Sequence, residues 1–376
     1  MGKGLKEISK KGLGKMAFNA EGGVVNWFPG HMAAATKAIR SRLKLADLVI
    51  EVRDSRIPLS SANVELQSQL GGKRRVIALN KKDLANSNIM QKWLQYFNSS
   101  EQDCIPTNAH SKNSVQKLLT LVELKLKELI TREPTLLVMV VGAPNVGKSA
   151  LINQMHQIAI SRFSVQNKTK RATVGPLPGV TQDIAGFKIA NCPSIYVLDT
   201  PGVLVPSIPD IETGLKLALA GSVKDSVVGE ERIAQYLLAV LNIRGTPLHW
   251  KHWNCRKMDG MRYEPDNRIE LCAADLNPRR QRPPSMSDVI YVDDLVTEVQ
   301  LALYKALAEF DGNVEDENDL ETLINQQFDV LQKVLKVPYK SSEARLMVAK
   351  KFIVLFRTGK LGPFILDDVP HSNVDA

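Results

Sequence analysis

The chain has 376 residues and a formal net charge of +9, with 44% hydrophobic and 24% charged residues, which is ordinary for a folded soluble protein of two or three domains. No stretch approaches the roughly 18–20 uninterrupted apolar residues of a membrane span, so an integral membrane protein is excluded. The four cysteines form no C-x-x-C pair, which argues against a disulfide framework, while the excess of positive charge favours an anionic partner such as nucleic acid.

The N-terminal segment, residues 1–23, is basic. Its first twenty residues carry five lysines and one glutamate, and several of its apolar residues fall near one helical face. Organellar targeting sequences have this character, although they are usually richer in Arg and Ser. A frayed basic tail or an arm that contacts RNA would have the same composition, and so would a segment that lies on anionic lipid. We therefore interpret this segment as a candidate targeting sequence and keep these alternatives open.

Five short segments are predicted to be buried parallel strands, because each is apolar, rich in β-branched residues and followed by polar residues, Gly or Pro. They comprise residues 46–54, 74–80, 103–109, 135–142 and 194–200. Helical patterns lie between them, for example over residues 114–130. This alternation predicts an α/β domain over 24–206, with a mostly parallel sheet, helices on both faces and ligands at the carboxyl ends of the strands.

The strand signal fades after Pro206, and the remaining apolar patterns have helical spacing. A stretch rich in Pro and Arg, residues 276–288, is predicted to be an exposed loop or linker. The sequence therefore predicts an α-helical C-terminal domain over 207–376.

A phosphate-binding loop is predicted at Gly142–Ser149, which reads GAPNVGKS between a predicted strand and a predicted helix. Backbone N–H groups of such a loop bind phosphate oxygens, Lys148 would reach the β- and γ-phosphates, and Ser149 would ligate Mg²⁺. A glycine-rich turn without a ligand is the alternative. The predicted nucleotide contacts here are Asn145, Val146, Gly147, Lys148, Ser149 and Ala150.

A second phosphate-site motif, DTPG, ends the last predicted strand at Asp199–Gly202. Asp199 would hold the Mg²⁺ shell, and the Gly202 amide would meet the γ-phosphate. Between the two motifs, PGVT offers Thr181 as the switch residue that would coordinate Mg²⁺ in the triphosphate state. Thr173 is a second candidate for that role.

The motif NKKD indicates guanine recognition. A carboxylate at Asp83 can accept from N1–H and the exocyclic amine of guanine, but has no such partners on adenine. Asn80 would lie near the base and the loop, and the stem of Lys81 would cover the purine ring. The motif TNAH would place the Ala109 amide against the guanine carbonyl oxygen. Polar turns that follow strands are the alternative interpretation of both motifs.

NKKD precedes the phosphate loop in this chain. A circular permutation produces that order without changing which groups meet in space, because domain termini usually lie close together. The permutation also makes DTPG the last core motif before the helical C-terminal domain. We therefore predict that the nucleotide state changes the orientation of that domain.

The motifs together resemble a known family. WFPGHM (27–32), DSRIP (54–58), NKKD, GAPNVGKS, PGVT and DTPG occur in the order seen in circularly permuted GTPases that assist large ribosomal subunit assembly. The bacterial YlqF/RbgA type and the organellar branch called mitochondrial ribosome-associated GTPases are the most similar. The resemblance covers roughly residues 24–220, and Ser55 stands where the family usually has Ala.

The resemblance implies binding of GTP and GDP with Mg²⁺, and makes K⁺ a further candidate ion held with the help of Asn145. Ras-like enzymes carry a water-orienting Gln after the D-x-x-G glycine, where this chain has Val203. Family analogy gives that role to His31, although a structural role for His31 is the alternative. Lys148 and Thr181 complete the expected catalytic set.

The sequence therefore predicts a GTP-hydrolysing switch that binds ribosomal RNA and assists assembly of the large ribosomal subunit. Turnover is expected to be slow alone and stimulated by ribosomal particles. The expected location is the mitochondrion, in the matrix or peripheral to the inner membrane, ahead of chloroplast or cytoplasm. The alternatives are a GTPase acting on a protein or membrane partner, and a nucleotide-gated scaffold with little turnover.

Overall fold

The structure, a computed structural model, describes residues 27–63, 70, 72–163, 185–191, 194–204, 208, 210–244, 286–338 and 343–370. These residues form two compact units. The sheet unit holds the described residues of Val24–Pro209, Lys216–Val227 and Pro363–Ala376. The helical unit holds those of Asp210–Leu215 and Val228–Gly362.

The sheet unit is built on one sheet. Its strands are β1 (Leu48–Asp54), β2 (Arg74–Asn80), β3 (Cys104–Pro106), β4 (Thr135–Val141), β5 (Ala185–Asn191) and β6 (Ser194–Asp199). They lie in the order β3-β2-β1-β4-β6-β5, with β5 antiparallel to β6 and the other neighbouring pairs parallel. The five predicted parallel strands are confirmed.

The edge strand β5 was not among the predicted strands, because its sequence, AGFKIAN, lacks a continuous apolar run. Of the apolar side chains that the structure describes in β5, only those of Phe187 and Ile189 are buried. The strand therefore has the alternating pattern of a half-exposed strand. An antiparallel edge strand has a weaker sequence signature than a strand buried on both faces.

Helices cover both faces of the sheet. The helices of this unit are α1 (Gly30–Leu43), α2 (Ser87–Ser99), α3 (Lys112–Ile130) and α4 (Lys148–Phe163), together with a 3-10 helix at Lys82–Leu84. Ile39 of α1 packs in a cluster with Leu198 of β6, whereas Ile195 of the same strand lines a small cavity with residues of α3 and α4. Residues 195 and 198 point to opposite faces because side chains alternate along a strand. The predicted fold class is therefore confirmed.

The helical unit contains α7 (Glu230–Ile243), α8 (Met286–Ala308), α9 (Glu317–Val334) and α10 (Ala344–Arg357). Within it, the buried amides of Asn242 and Gln327 exchange two hydrogen bonds of 2.9 and 2.8 Å, which satisfies both side chains between two apolar helices. Two further helices, α5 (Ile211–Leu219) and α6 (Asp225–Val228), lie where the division between the units falls. Among the helices described, none is long and apolar enough to cross a membrane.

The C-terminal segment after Gly362 belongs to the sheet unit, although the sequence predicts a C-terminal domain over 207–376. Its backbone donates from Phe364 to Leu84 at 3.1 Å and from Leu366 to Arg56 at 2.7 Å. Ile365 is 3% exposed and packs in the apolar cluster formed by α2 and β2. These contacts assign the segment to the sheet unit because they bury its side chains and satisfy its backbone there.

Candidate functional site

The sequence motifs meet at the carboxyl edge of the sheet. Asp54 and Asn80 end the neighbouring strands β1 and β2 and are directly paired in register. Asp199 ends β6 and pairs with Val140, two residues before the loop that follows β4. Parallel strands bring their carboxyl ends to one edge, so motifs that are far apart in the chain become neighbours there.

The phosphate loop has a tightly constrained backbone. Asn145 and Gly147 have φ angles of 56° and 94°. A Cβ atom at Gly147 would overlap the Asn80 side-chain amide, so only glycine fits this position without displacing Asn80. Helix α4 begins at Lys148, directly after the loop. The first N–H groups of this helix therefore face the space enclosed by the loop, which is the geometry of an anion site.

Lys148 is 6% exposed, and its Nζ donates to the carbonyl oxygens of Gly142 at 3.2 Å and Ala143 at 2.8 Å. Burial lowers the pKa of Lys148 to about 8, and the nearby Asp199 carboxylate offsets part of that shift. A buried ammonium beside the helix N-terminus suits a polyanionic ligand, because phosphate oxygens would add negative charge to that of Asp199 and further stabilise the charged lysine.

Ser149 and Asp199 form a pair with hard oxygen atoms. The Ser149 hydroxyl donates to Asp199 Oδ2 at 2.8 Å. Asp199 is 1% exposed, and its other oxygen, Oδ1, is buried without a hydrogen-bond partner. Burial raises the pKa of Asp199, although the Ser149 hydroxyl and Lys148 act in the opposite direction. A buried carboxylate oxygen without a partner next to a hydroxyl fits Mg²⁺, which prefers oxygen ligands.

The base-recognition motif contacts the phosphate loop directly. Asn80 Nδ2 donates to the Val146 carbonyl at 2.8 Å, and Asn80 Oδ1 accepts from the Ala109 amide at 3.0 Å. Lys81 Nζ donates to the Asn145 carbonyl at 2.7 Å. The structure thus joins NKKD, TNAH and the phosphate loop, as the circular permutation requires.

Asp83 lies in the 3-10 helix that follows Lys81 and is exposed, so its carboxylate is accessible from solvent. Lys81 has a left-handed backbone with φ of 60° at the start of this helix. The Ala109 amide donates to Asn80, and its donation to a guanine oxygen stays a prediction. Ala150 is half-buried in the first turn of α4.

A buried ion cluster contacts Lys81 of the NKKD motif, and the sequence analysis does not predict this cluster. Asp54 is 1% exposed and pairs with Lys81 at 3.0 Å and with Arg56 at 2.8 Å. Burial raises the pKa of Asp54, but the charges of Arg56 and Lys81 and the hydrogen bonds from Arg56 outweigh it, so the pKa lies below its usual range. In the sequence, Asp54 and Arg56 stand out only as part of DSRIP, because a short D-x-R sequence carries no signal of its own.

The segment after β6 packs against the phosphate loop. A Cβ atom at Gly202 would overlap the backbone of Pro144, so the glycine permits this close approach. Val203 is fully buried, its amide donates to Gly142 at 3.3 Å, and its carbonyl accepts from Asn63 at 3.2 Å. The apolar Val203 side chain therefore lies in the core at the position where Ras-like enzymes carry a Gln.

Two predicted catalytic residues lie wholly or partly outside the described residues. Thr181 lies outside the described residues, as does the alternative Thr173. His31 lies in the first turn of α1, after Pro29 at the helix N-cap, and its side chain is outside what the structure describes. The basic segment 1–23 and most of the Pro/Arg-rich stretch 276–288 also lie outside the described residues.

Comparison with known proteins finds related GTPases. A family model described as 50S ribosome-binding GTPase matches residues 137–258. The chain is 70% identical over 372 residues to "Short integuments 2, mitochondrial" of Arabidopsis thaliana, covering 99% of this chain and 96% of that protein. It is 39% identical to "DAR GTPase 2, mitochondrial" of the same plant, covering 91% and 90%. It is also 40% identical to "Mitochondrial ribosome-associated GTPase 1" of Mus musculus, covering 61% and 71%.

The mitochondrial names of these relatives confirm the predicted mitochondrial localisation. The extent and identity of the matches, together with a phosphate loop that follows the base-recognition motif in the chain but meets it in space, establish the family. The chain belongs to the circularly permuted GTPases of the mitochondrial ribosome-associated type.

Proposed function

We propose that this protein is a GTP-hydrolysing switch that binds ribosomal RNA and assists assembly of the large ribosomal subunit in mitochondria. The observation that carries the nucleotide part of this proposal is the pair of hydrogen bonds from Asn80 and Lys81 to the carbonyls of Val146 and Asn145. These bonds support the proposal because they bring NKKD, whose residues suit guanine, into contact with the loop whose residues suit phosphate. A nucleotide that spans them must present a purine at one end and phosphates at the other.

Each group has a role in holding GTP. The exposed Asp83 carboxylate would accept hydrogen bonds from guanine, and adenine could not satisfy it. The loop amides and Lys148 would hold the β- and γ-phosphates. Ser149, Asp199 and Thr181 would hold Mg²⁺, which neutralises charge on the phosphate oxygens when bound.

Slow turnover follows from the position of Val203. A fully buried valine cannot orient the attacking water by a hydrogen bond, so this chain lacks the usual water-positioning amide. We propose that His31, at the start of α1, supplies this function once a ribosomal particle binds. Asn145 would help to hold K⁺ near the phosphates, and its side-chain amide donates to the Gly221 carbonyl at 3.3 Å.

The ribosomal part of the proposal is supported by charge and by relatives. The net charge of +9 favours a polyanionic partner. A relative 40% identical to this chain is named a mitochondrial ribosome-associated GTPase, and one 35% identical, from Bacillus cereus, is named Ribosome biogenesis GTPase A. Contacts to RNA phosphates release counterions, so the association should weaken steeply with salt.

Sedimentation tests this assignment. Tagged protein in a mitochondrial lysate is run on sucrose gradients with GDP or with a non-hydrolysable GTP analogue. Co-migration with large-subunit particles in the triphosphate-like state, and its loss with GDP, is the expected result. Equal distribution in both states, or co-migration with membrane vesicles instead of particles, contradicts it.

Hydrolysis needs a separate measurement, because binding alone would fit a scaffold. Single-turnover GTP hydrolysis is measured with and without purified large subunits, for the wild type and for His31→Ala. We expect strong stimulation of the wild type by subunits and little of the variant. Without stimulation of the wild type, the scaffold interpretation is favoured.

A further inference from the structure

A closed ring of polar contacts surrounds the base-recognition lysine, and part of it lies outside the motifs that bind nucleotide. Asp54 at the end of β1 contacts Lys81 Nζ at 3.0 Å, and Lys81 Nζ also donates to the Asn145 carbonyl at 2.7 Å. The Asn145 side chain donates to Gly221 at 3.3 Å, and Arg56 donates to the adjacent Ala220 carbonyl at 3.3 Å.

The ring closes at Asp54. Arg56 donates to both Asp54 oxygens through its side chain, from Nε at 2.9 Å and from Nη2 at 2.8 Å, and its backbone amide adds a bond of 3.0 Å. Such a two-pronged arginine–carboxylate pair has one preferred geometry. The pair therefore fixes the orientation of the Asp54 carboxylate, and with it the position of the Oδ2 atom that contacts Lys81.

Asp54 and Arg56 are buried, and burial strengthens the interaction between Asp54 and Lys81. The side chains of Asp54 and Arg56 are 1% and 2% exposed, and that of Lys81 is 22% exposed. A buried carboxylate that loses a cationic partner carries a large desolvation cost, so Asp54 holds Lys81 in place more strongly than a surface carboxylate would. The long Lys81 side chain would otherwise sample several rotamers, and fixing them in advance removes an entropy cost from ligand binding.

The turn that the ring reaches is itself well defined. After α5, the amide of Ser222 donates to Leu217 and the amide of Gly221 donates to Ala218, each at 2.8 Å, and Gly221 has a φ angle of 82°. This is a helix C-terminal motif that turns carbonyl groups outward. The carbonyls of Ala220 and Gly221 accept from Arg56 and Asn145, and the negative end of the helix dipole favours the arginine.

We propose that Asp54 and Arg56 are positioning residues of the nucleotide site: Asp54 holds Lys81 against the phosphate loop, and Arg56 links that pair to the turn after α5. The proposal rests on the proposed nucleotide site and deepens it. Binding of GTP or GDP, which engages Lys81 and the loop around Asn145, then also tightens the turn at residues 220–222. The guanine preference itself stays with Asp83.

The dissociation rate of a fluorescent GDP analogue tests whether Asp54 positions Lys81 for nucleotide binding. Asp54→Asn keeps the size of the side chain and removes its charge, and we expect it to raise the dissociation rate about tenfold, equivalent to about 1.4 kcal/mol. Lys81→Gln should do the same, and the double variant should add little to the larger single effect. The preference for GTP over ATP should survive in Asp54→Asn because Asp83 is intact.

Glu51→Gln is the matched control. Glu51 lies on the same strand, is 3% exposed, and pairs with Arg53 at 2.8 Å and Arg75 at 3.4 Å. It lies three residues before Asp54, roughly 10 Å along the strand. We expect this variant to lower Tm but to keep the dissociation rate within about twofold of wild type, so a general loss of stability is separated from loss of positioning.

Hydrogen exchange tests whether Arg56 links the Asp54–Lys81 pair to the turn at residues 220–222. In the wild type, GDP should slow exchange of the amides of residues 220–222. Arg56→Lys keeps a cation beside Asp54 but lacks the fork that reaches Ala220. It should reduce this protection, because only the hydrogen bond from Asn145 to Gly221 still reaches the turn, while raising the dissociation rate at most about threefold.

Several results would overturn the proposal. An unchanged dissociation rate in folded Asp54→Asn, or an equal rise in Glu51→Gln, removes the positioning role. If Asp54→Asn does not fold, the test depends on Lys81→Gln. A dissociation rate equal to that of the wild type in Lys81→Gln would show that Lys81 does not contribute to nucleotide binding, and Asp54 could then not act by positioning it. Unchanged protection in Arg56→Lys removes the link to the turn. Failure of the wild type to bind GDP would instead overturn the nucleotide site.

Discussion

The side-chain amide of Asn80 donates a hydrogen bond of 2.8 Å to the carbonyl oxygen of Val146, a residue of the phosphate loop 66 positions later in the chain. The same side chain accepts from the Ala109 amide at 3.0 Å. One asparagine therefore connects three motifs that the chain order separates. In a GTPase whose base-recognition motif comes first in the sequence, this contact brings the two halves of the site together.

Asp83→Asn should change base specificity. The amide that replaces the carboxylate cannot accept from both guanine donors, so GDP affinity should fall by about a hundredfold or more. The new N–H can donate to a carbonyl at the same ring position, so xanthosine diphosphate should gain affinity. Isothermal titration calorimetry measures both. Asp103→Asn, a partly exposed carboxylate paired with Lys125, should bind GDP like the wild type, and an equal loss in both variants would contradict the assignment.

Removal of Mg²⁺ should loosen GDP through Ser149 and Asp199. Addition of EDTA to the wild type is expected to raise the GDP dissociation rate about tenfold or more, because the phosphate charge is no longer neutralised. Ser149→Ala should show a raised rate with Mg²⁺ present and a smaller response to EDTA. Stopped-flow fluorescence gives the rates. Ser161→Ala, in the last turn of the same helix, should respond as the wild type does.

Asp367→Ala should destabilise the sheet unit. The Asp367 carboxylate accepts from the amides of Leu59 and Ser60 at 2.8 Å each and from the Ser60 hydroxyl at 2.6 Å. Asp367 is 5% exposed, and its loss removes the acceptor of three partly buried hydrogen bonds, so we expect a cost of about 1–2 kcal/mol in the free energy of unfolding.

Urea unfolding followed by tryptophan fluorescence measures this cost. Glu133, an exposed residue of the same unit, supplies the control, because replacement of an exposed side chain by Ala should change the free energy of unfolding by no more than about 0.5 kcal/mol. Equal midpoints for Asp367→Ala and the wild type would show that the C-terminal segment does not stabilise the unit.

Acid should weaken the contribution of Asp54 to stability. Its folded-state pKa is lowered, on balance, by Arg56 and Lys81 against the effect of burial. A carboxyl group with a depressed folded pKa stabilises the native state fully above its unfolded pKa of about 3.9 and loses that contribution as the pH falls below it. The difference in the free energy of unfolding between wild type and Asp54→Asn should therefore be constant from pH 7 to about 5 and shrink below about 4.

Urea titrations at pH 6, 5, 4 and 3.5 follow this difference, and the wild type should lose more stability than Asp54→Asn over the last step. A difference that grows as the pH falls would show that Asp54 is held neutral in the folded protein. Its ion pairs with Arg56 and Lys81 would then not be present in solution.

Much of the fold could be predicted from local sequence. The buried strands that end at Asp54, Asn80 and Asp199 are short runs rich in apolar and β-branched residues, and this pattern is a property of neighbouring positions. The edge strand β5 could not be predicted in the same way, because half of its side chains face away from the core. Its pairing with β6 is a contact with another segment rather than a pattern within its own.

The residues of the site also fall into those that local motifs predict and those whose roles depend on distant partners. Candidate roles for Lys148, Ser149 and Asp83 follow from the sequence, because a phosphate loop and a guanine-recognition motif need particular residue types at fixed spacing, and these roles stay predictions. The roles of Asp54, Arg56 and Asp367 could not, because each depends on partners outside its own motif. Asp367 meets Ser60 across 307 positions of the chain.

By itself, the sequence determined the family of the protein, the order of its motifs and the identity of the groups available to bind a nucleotide, since those are carried by residue type and spacing. Only the tertiary structure decided that the buried Asp54 pairs with Lys81 and that the C-terminal segment packs in the sheet unit. Such contacts depend on burial and on the distance between residues remote in the chain, and local sequence determines neither quantity.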